Sequence, residues 1–265
     1  MAKDTVGITG ASGFIGQNLI QRLRTENVNI RIIDKEEDLV DQVVGCKAIV
    51  HLAAINNFLN PGIESANVEY TRKLAEAIQA HVLDCLLIFT SSFAVYKIPQ
   101  KGDVVSEKYI TEPRNRYGQT KLEAEKIIKQ FGLNVWILRL SNVYGPGMAP
   151  FKHSVVSTFR ELIKQGKEIT IDGDGSQTRD FVHVDDAVSA ILLALKKKLV
   201  GVRIVNICSG DDINLNDLVK KISQDVGKKA KVKYNATADI ATAGFWKGDR
   251  SLAKKLLGWE PKVYI

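Results

Sequence analysis

At 265 residues with 45% hydrophobic side chains, the chain has enough apolar material for one large α/β domain, or for a domain carrying a small lobe. No apolar run approaches the roughly 20 residues of a membrane span, and three scattered cysteines (Cys46, Cys85, Cys208) without a Cys-x-x-Cys argue against a disulfide framework and a metal site. The formal net charge of +7 comes from lysines that cluster late, among them Lys196, Lys197, Lys198, Lys228 and Lys229, on helix ends and polar faces without interleaved stacking aromatics, so nucleic acid is not the expected partner.

Met1-Ala-Lys-Asp4 opens into an apolar strand with no signal-peptide pattern, and a cytoplasmic location is expected. Val6 to Leu19 then reads as a strand, a glycine turn and the start of an amphipathic helix. Gly10, Gly13 and Gly16 recur every third residue, which frees the turn's backbone angles and lets a ligand approach without a Cβ in the way. The spacing is G-x-x-G-x-x-G and not the standard dinucleotide fingerprint, so an ordinary strand-to-helix turn is the competing reading. Asp34 tips the balance toward a nucleotide site. It closes the second apolar strand, Asn29 to Ile33, about 20 residues on, where a carboxylate accepts hydrogen bonds from an adenosine ribose.

Further along, strands and helices alternate. Ala48 to Leu52, followed by Ala53-Ala54, is dense enough to be a strand buried on both faces. Helix is expected over Ile63 to His81, strand over Cys85 to Thr90, helix over Tyr117 to Phe131, strand over Val135 to Leu138, helices over Val155 to Lys164 and Val184 to Leu195, and strand over Arg203 to Ile207. This alternation predicts an α/β fold, a Rossmann-type doubly wound parallel sheet. The turn-rich Tyr144 to Pro150, the strand Glu168 to Ile171 with its Gly-Asp-Gly turn, and the stretch from Asp212 through Val232 to Tyr234 and Leu252 to Leu257 read as a small, shortened substrate-binding lobe. The expected division is 1–142 and 181–211 for the nucleotide domain, and 143–180 and 212–265 for the lobe.

Three further residues suggest chemistry. Tyr117 and Lys121 are four apart at a helix start, on one face, and a cation beside a phenol favours the phenolate that a general base requires. Ser92 ends a strand at the carboxyl edge of the sheet, where its hydroxyl can share a substrate oxygen with Tyr117.

These stretches, with His51-Leu-Ala-Ala54, Thr90-Ser-Ser-Phe-Ala-Val-Tyr96, Leu138-Arg-Leu-Ser-Asn-Val-Tyr-Gly-Pro-Gly147, Arg179-Asp-Phe-Val-His-Val-Asp-Asp186 and Leu257-Gly-Trp-x-Pro261, occur in an order that resembles extended short-chain dehydrogenases/reductases, in the NAD-dependent nucleotide-sugar epimerase/dehydratase group. The resemblance implies NAD as cofactor, its pyrophosphate on Gly10, Gly13 and Gly16 with Phe14 and Ile15. Asp34 would hold the adenosine ribose, Asp38 and Leu39 would flank the adenine, and Leu52, Ala53 and Ala54 would complete the cofactor site. Lys121 would bind the nicotinamide ribose and tune Tyr117, the acid/base, with Ser92 as its hydrogen-bonding partner. Asn142 and Arg179 would meet the nucleotide-sugar diphosphate, although Arg179 beside Asp180 reads equally as a structural ion pair.

Dehydratases of the group resemble Ser/Thr-Asp-Glu where this chain has Ser92-Phe93-Ala94, so epimerisation, at C4, is the expected reaction. A nucleotide-4-keto-sugar reductase is the alternative, and a non-catalytic or nucleic-acid-binding member the remote one. Asp34 favours NAD over NADP, with Arg31 and Lys35 acting against it. Three departures stand out: a short C-terminal region, Lys97 where glycine is usual after Tyr96, and no second arginine before Asp249, a place that Lys247 or Arg250 would fill. A homodimer through the two long helices is a further family expectation.

Overall fold

The computed structural model describes residues 5–35, 37–150, 154–235 and 244–265. Its centre is a six-stranded sheet of β1 (Thr5–Thr9), β2 (Asn29–Ile32), β3 (Cys46–His51), β4 (Leu86–Ser92), β5 (Asn134–Leu140) and β9 (Val202–Ile207), in the spatial order β2-β1-β3-β4-β5-β9. Every pairing in it is parallel. The chain steps outward from β1 to β2 and then crosses to β3 on the other side, so the strand order reverses between β1 and β3. A ligand crevice is expected at the carboxyl ends of those two strands.

Strand periodicity sorts the core into two layers. From Val6 and Ile8, Val50, Ile88, and Trp136, Leu138 and Leu140, one face packs against α1 (Phe14–Thr25), α6 (Val184–Leu195) and α8 (Ser251–Leu257). The intervening residues, Ile49, Leu87, Phe89, Val135 and Ile137, meet α2 (Leu39–Val43), α3 (Tyr70–His81) and α4 (Arg116–Gln130) on the other face. A near-continuous apolar strand is what a sheet covered on both sides requires.

Beyond this sheet lie β6 (Asn142–Tyr144), α5 (Val155–Lys164), β7 (Glu168–Asp172), β8 (Thr178–His183), β10 (Asp212–Asn214), α7 (Leu215–Val226) and β11 (Lys231–Asn235). A three-stranded sheet runs β10-β8-β6, and β11 pairs with β7. The apolar faces of α5 and α7 close over these strands through Val156, Phe159, Ile163, Leu218 and Ile222.

Three sequence expectations change here. Tyr144, read as the start of a turn-rich loop, ends β6 in register with His183. The helix expected over Ile63 to His81 contains a wide π turn, Ser65–Glu69, before α3 begins. The final helix and the Trp259 turn, assigned to the lobe, belong to the core of the central sheet. Ala253, Leu257 and Trp259 are buried there, and the Trp259 indole N–H donates to Asp186 O and Ser189 Oγ. Burying those side chains against α6 outweighs their position in the sequence.

Candidate active site

The glycine turn is close-packed against the end of β3. A Cβ on Gly10, whose φ is 67°, would lie 2.6 Å from the Ala53 nitrogen, and one on Gly16 would lie 2.3 Å from the Gly10 carbonyl. These two glycines bring the β1 turn, the start of α1 and the Leu52–Ala54 segment together at the switch point. Gly13 caps α1 without a side chain, and the helix has no acidic residue in its first turn, so the Phe14 and Ile15 end presents the positive end of the dipole to this crevice. A dinucleotide diphosphate fits such a cradle.

The cradle rests on a network of side chains that the sequence reading left unassigned. Thr9 Oγ1 accepts from the amides of Leu52 and Ala53 and lies 2.7 Å from His51 Nδ1, while His51 Nε2 lies 2.8 Å from Thr71 Oγ1, which itself donates to Asn67 O. The directions are consistent only with a neutral His51 carrying its proton on Nε2. Burial, and after it the charge of Lys121, lower the pKa of His51 to about 3. Asn67, held inward by the π turn, pairs with both backbone groups of Ile55 and donates to Thr120 Oγ1, next to Lys121. The signal for this network was polar residues, Thr9 and His51, closing otherwise apolar strands.

Asp34 is exposed at the end of β2, and its backbone is clamped by Gln42, which accepts from Asp34 N and donates to the carbonyls of Asp34 and Asp38. Asp38 Oδ1 accepts from Val40 N and so caps α2, which positions Leu39 beside the same loop.

At the other end of the crevice Ser92 finishes β4 and Tyr117 opens α4. Asn115 caps that helix through Gly118 N, and Gly118 lets it press on the turn after Ser92, where a Cβ would sit 2.0 Å from the Ala94 carbonyl. Burial raises the Tyr117 pKa, and the Ser92 hydroxyl acts against that shift by hydrogen bonding to the phenol. Lys121 is 2% exposed, with its ammonium 4.1 Å from the centroid of the Phe89 ring, and burial lowers its pKa to about 7. The expected tuning of the phenol by a lysine cation is therefore weaker than the spacing suggests: desolvation holds Lys121 close to its own titration point. Behind this pair, Arg139 makes a two-pronged bond to Glu125, at 2.9 and 2.7 Å, and Ser91 donates to the same carboxylate, fixing α4 to the sheet.

In the second sheet Asn142 and Arg179 share one face, because Asn142 is in register with Phe181, two residues from Arg179. Asn142 donates to Asp180 O, and Arg179 donates to the carbonyls of Thr178 and Gly244. Burial lowers the Arg179 pKa to about 10. The alternative of an Arg179–Asp180 ion pair does not form. Adjacent strand residues point to opposite faces, and the Asp180 carboxylate instead accepts from Ser141, Ser209, Gly210 and Gly248. Of the two candidates for a second cation, Lys247 pairs with Asp212 at 3.4 Å, and Arg250 lies against Gly210.

A parallel doubly wound sheet with a glycine cradle at its switch point, and a serine and a tyrosine at the carboxyl edge, fits an NAD-dependent enzyme of the extended short-chain dehydrogenase/reductase type. Residues 6–208 match the NAD dependent epimerase/dehydratase family, and the chain belongs to that family. It is 31% identical, over 309 aligned positions, to the uncharacterized UDP-glucose epimerase YtcB of Bacillus subtilis, across 97% of this chain and 93% of the relative. The alignment is longer than the 265 residues of the chain, so the relative carries extra residues inside the matched span. Among solved structures, MoeE5 in complex with UDP-glucuronic acid and NAD superposes with a TM-score of 0.88 at 29% identity, covering 98% of this chain and 94% of that one. The UDP-glucuronic acid 4-epimerase of Bacillus cereus, in complex with UDP-glucuronic acid and NAD, gives 0.85 at 26% identity, covering 98% and 95%.

Proposed function

We propose that this enzyme inverts carbon 4 of a nucleotide-activated sugar through a transient ketone, with Ser92, Tyr117 and Lys121 as its catalytic set. The observation that carries this reading is the close approach of α4, which bears Tyr117, to the turn after Ser92 at the carboxyl edge, with Phe93 and Ala94 following the serine. Phe93 is buried against Tyr96 and Trp246. Neither residue offers the acid or base that removal of water from a keto-sugar needs. Relatives that act on UDP-glucose and UDP-glucuronic acid support a UDP-hexose or UDP-hexuronate as substrate.

In this reading Gly10, Gly13, Phe14, Ile15 and Gly16 hold the diphosphate of NAD, and Asp34 holds the adenosine ribose. Asp38 and Leu39, with Leu52, Ala53 and Ala54, line the rest of its path, and Lys121 holds the nicotinamide ribose. When bound, the dinucleotide supplies a hydride acceptor and a positive ring. That positive charge favours the Tyr117 phenolate, offsetting the burial that otherwise keeps the phenol protonated. Tyr117 then takes the proton of the sugar hydroxyl while Ser92 holds the oxygen, and returns it after the keto-sugar has turned its other face. Asn142 and Arg179 hold the diphosphate of the substrate. Association of two copies through α3 and α4 completes the reading, and sedimentation measures it.

The test is a panel of nucleotide-sugars followed by NMR with the purified protein. Appearance of the C4 epimer without added nicotinamide cofactor supports the proposal. Stoichiometric consumption of NADH or NADPH with a keto-sugar, and no epimer, would make the enzyme a reductase.

A further inference from the structure

Asp180 is fully buried, and its carboxylate draws in three separate stretches of chain. Oδ1 accepts from Ser141 Oγ at 3.0 Å and from the Ser209 nitrogen and hydroxyl at 2.8 and 3.0 Å, and Oδ2 accepts from Gly210 N at 2.9 Å and Gly248 N at 3.1 Å. Ser141 follows β5 and Ser209 comes shortly after β9, at the carboxyl edge of the central sheet, whereas Gly248 belongs to a segment that bridges to Val105. Glycine at 248 permits this approach: a Cβ there would lie 2.4 Å from Cys208 Sγ and 2.9 Å from Phe93 Cζ. Taking a carboxylate out of water is costly, and packed apolar side chains would join the same stretches without that cost. What apolar packing lacks is direction, and five hydrogen bonds to one carboxylate fix the stretches in a single register.

Both residues assigned to the substrate diphosphate are tied to this joint. Asn142, next to Ser141, donates through Nδ2 to the Asp180 carbonyl at 3.1 Å, and Arg179 precedes Asp180 on the opposite face of β8. The Arg179 guanidinium donates to the Gly244 carbonyl, in the segment that leads to Gly248. Resting on that assignment of Asn142 and Arg179, we propose that Asp180 is the positioning residue of the substrate site, fixing the two side chains relative to each other and to Ser92 and Tyr117. Closed off from solvent, it acts through them and not on the substrate. The effect should be local to that half of the molecule. The partners of Asp180 lie at the ends of β5 and β9, and the cofactor cradle lies at β1 and β3, on the far side of β4.

Separate calorimetric titrations with UDP and with NAD test this without turnover, UDP carrying the diphosphate without a reacting sugar. Asp180→Asn keeps the shape but turns an amide NH2 toward backbone N–H groups whichever way it lies, Ser209 on one side or Gly210 and Gly248 on the other. It is expected to weaken UDP by about tenfold or more and NAD by less than about twofold. Ser141→Ala removes one of the five bonds and keeps the charge, and should weaken UDP by about 2- to 10-fold. It decides the matter if Asp180→Asn does not fold. With Arg179→Ala already in place, Asp180→Asn should cost less UDP affinity than it does in the wild type, because part of what it positions is gone; full additivity would overturn the proposal. So would unchanged UDP affinity in Ser141→Ala and Asp180→Asn, or an equal loss for NAD, and if Arg179→Ala still weakened UDP the diphosphate site would stand. A wild type that takes up no UDP would overturn the site and the proposal together.

Discussion

Gly118→Ala sets two physical rules against each other. Alanine is the better helix former by about 1 kcal/mol, so propensity alone predicts a more stable α4. The structure predicts the reverse. The new Cβ would lie 2.0 Å from the Ala94 carbonyl oxygen, 2.8 Å from its carbon and 2.9 Å from Pro113 Cβ, and two of these three are backbone atoms. Cβ contacts below 3.0 Å essentially do not occur, so helix and turn must part by about 1 Å. Overpacking of this kind costs about 1–3 kcal/mol. Taking its upper end against the propensity gain leaves a loss of about 2 kcal/mol, or roughly 4–8 °C in melting temperature for a chain of this size. The catalytic effect should be larger. Tyr117 rides on the displaced helix and Ser92 stays on the sheet, and a misplacement near 1 Å can cost about 100-fold in rate. NAD affinity should fall much less than turnover, since the diphosphate cradle belongs to α1 and only Lys121 of the proposed cofactor contacts rides on α4. Urea denaturation, turnover and NAD titration on one preparation measure all three. A variant as stable as the wild type with full turnover would refute the view that Gly118 sets the contact between helix and turn.

Glu125→Leu should lower stability by about 3–5 kcal/mol in urea denaturation, because it strands the buried Arg139 guanidinium without its carboxylate. For Lys121 the sign follows from its depressed pKa: above about pH 7 the free protein holds it neutral, whereas an anionic dinucleotide favours the cation. NAD binding should therefore take up a proton, and affinity should fall by up to about tenfold per pH unit above neutrality, a slope that Lys121→Met removes. Calorimetry in buffers of different ionisation enthalpy reads the uptake. Arg179→Ala should raise KM more than it lowers kcat, since in the proposed function the arginine binds a diphosphate that does not react. A loss confined to kcat would assign it a different role.

Much of the central sheet was legible because buried parallel strands leave dense apolar runs: Asn29 begins β2 and Ile207 ends β9 where the sequence placed them. β6 and β10 were not legible, as three-residue strands carry too little periodicity to register. The π turn was hidden for another reason. Its cause is long-range, the pairing of Asn67 with Ile55 and Thr120, and helical spacing is blind to such bonds. Arg179 shows the limit of reading neighbours in sequence as neighbours in space, since strand pleating sends Asp180 to the opposite face and into five donors on four residues. The cradle was legible in its glycines, while what holds it rigid, Thr9, His51 and Thr71, depends on three segments meeting.

The most direct test of the central claim is the isotope at the inverted carbon after turnover in D2O. If the hydrogen leaves for the nicotinamide and returns from it while Tyr117 handles only the hydroxyl proton, the epimer will keep protium at that carbon. Deuterium there would mean that inversion proceeds by exchange with solvent, and would contradict the account.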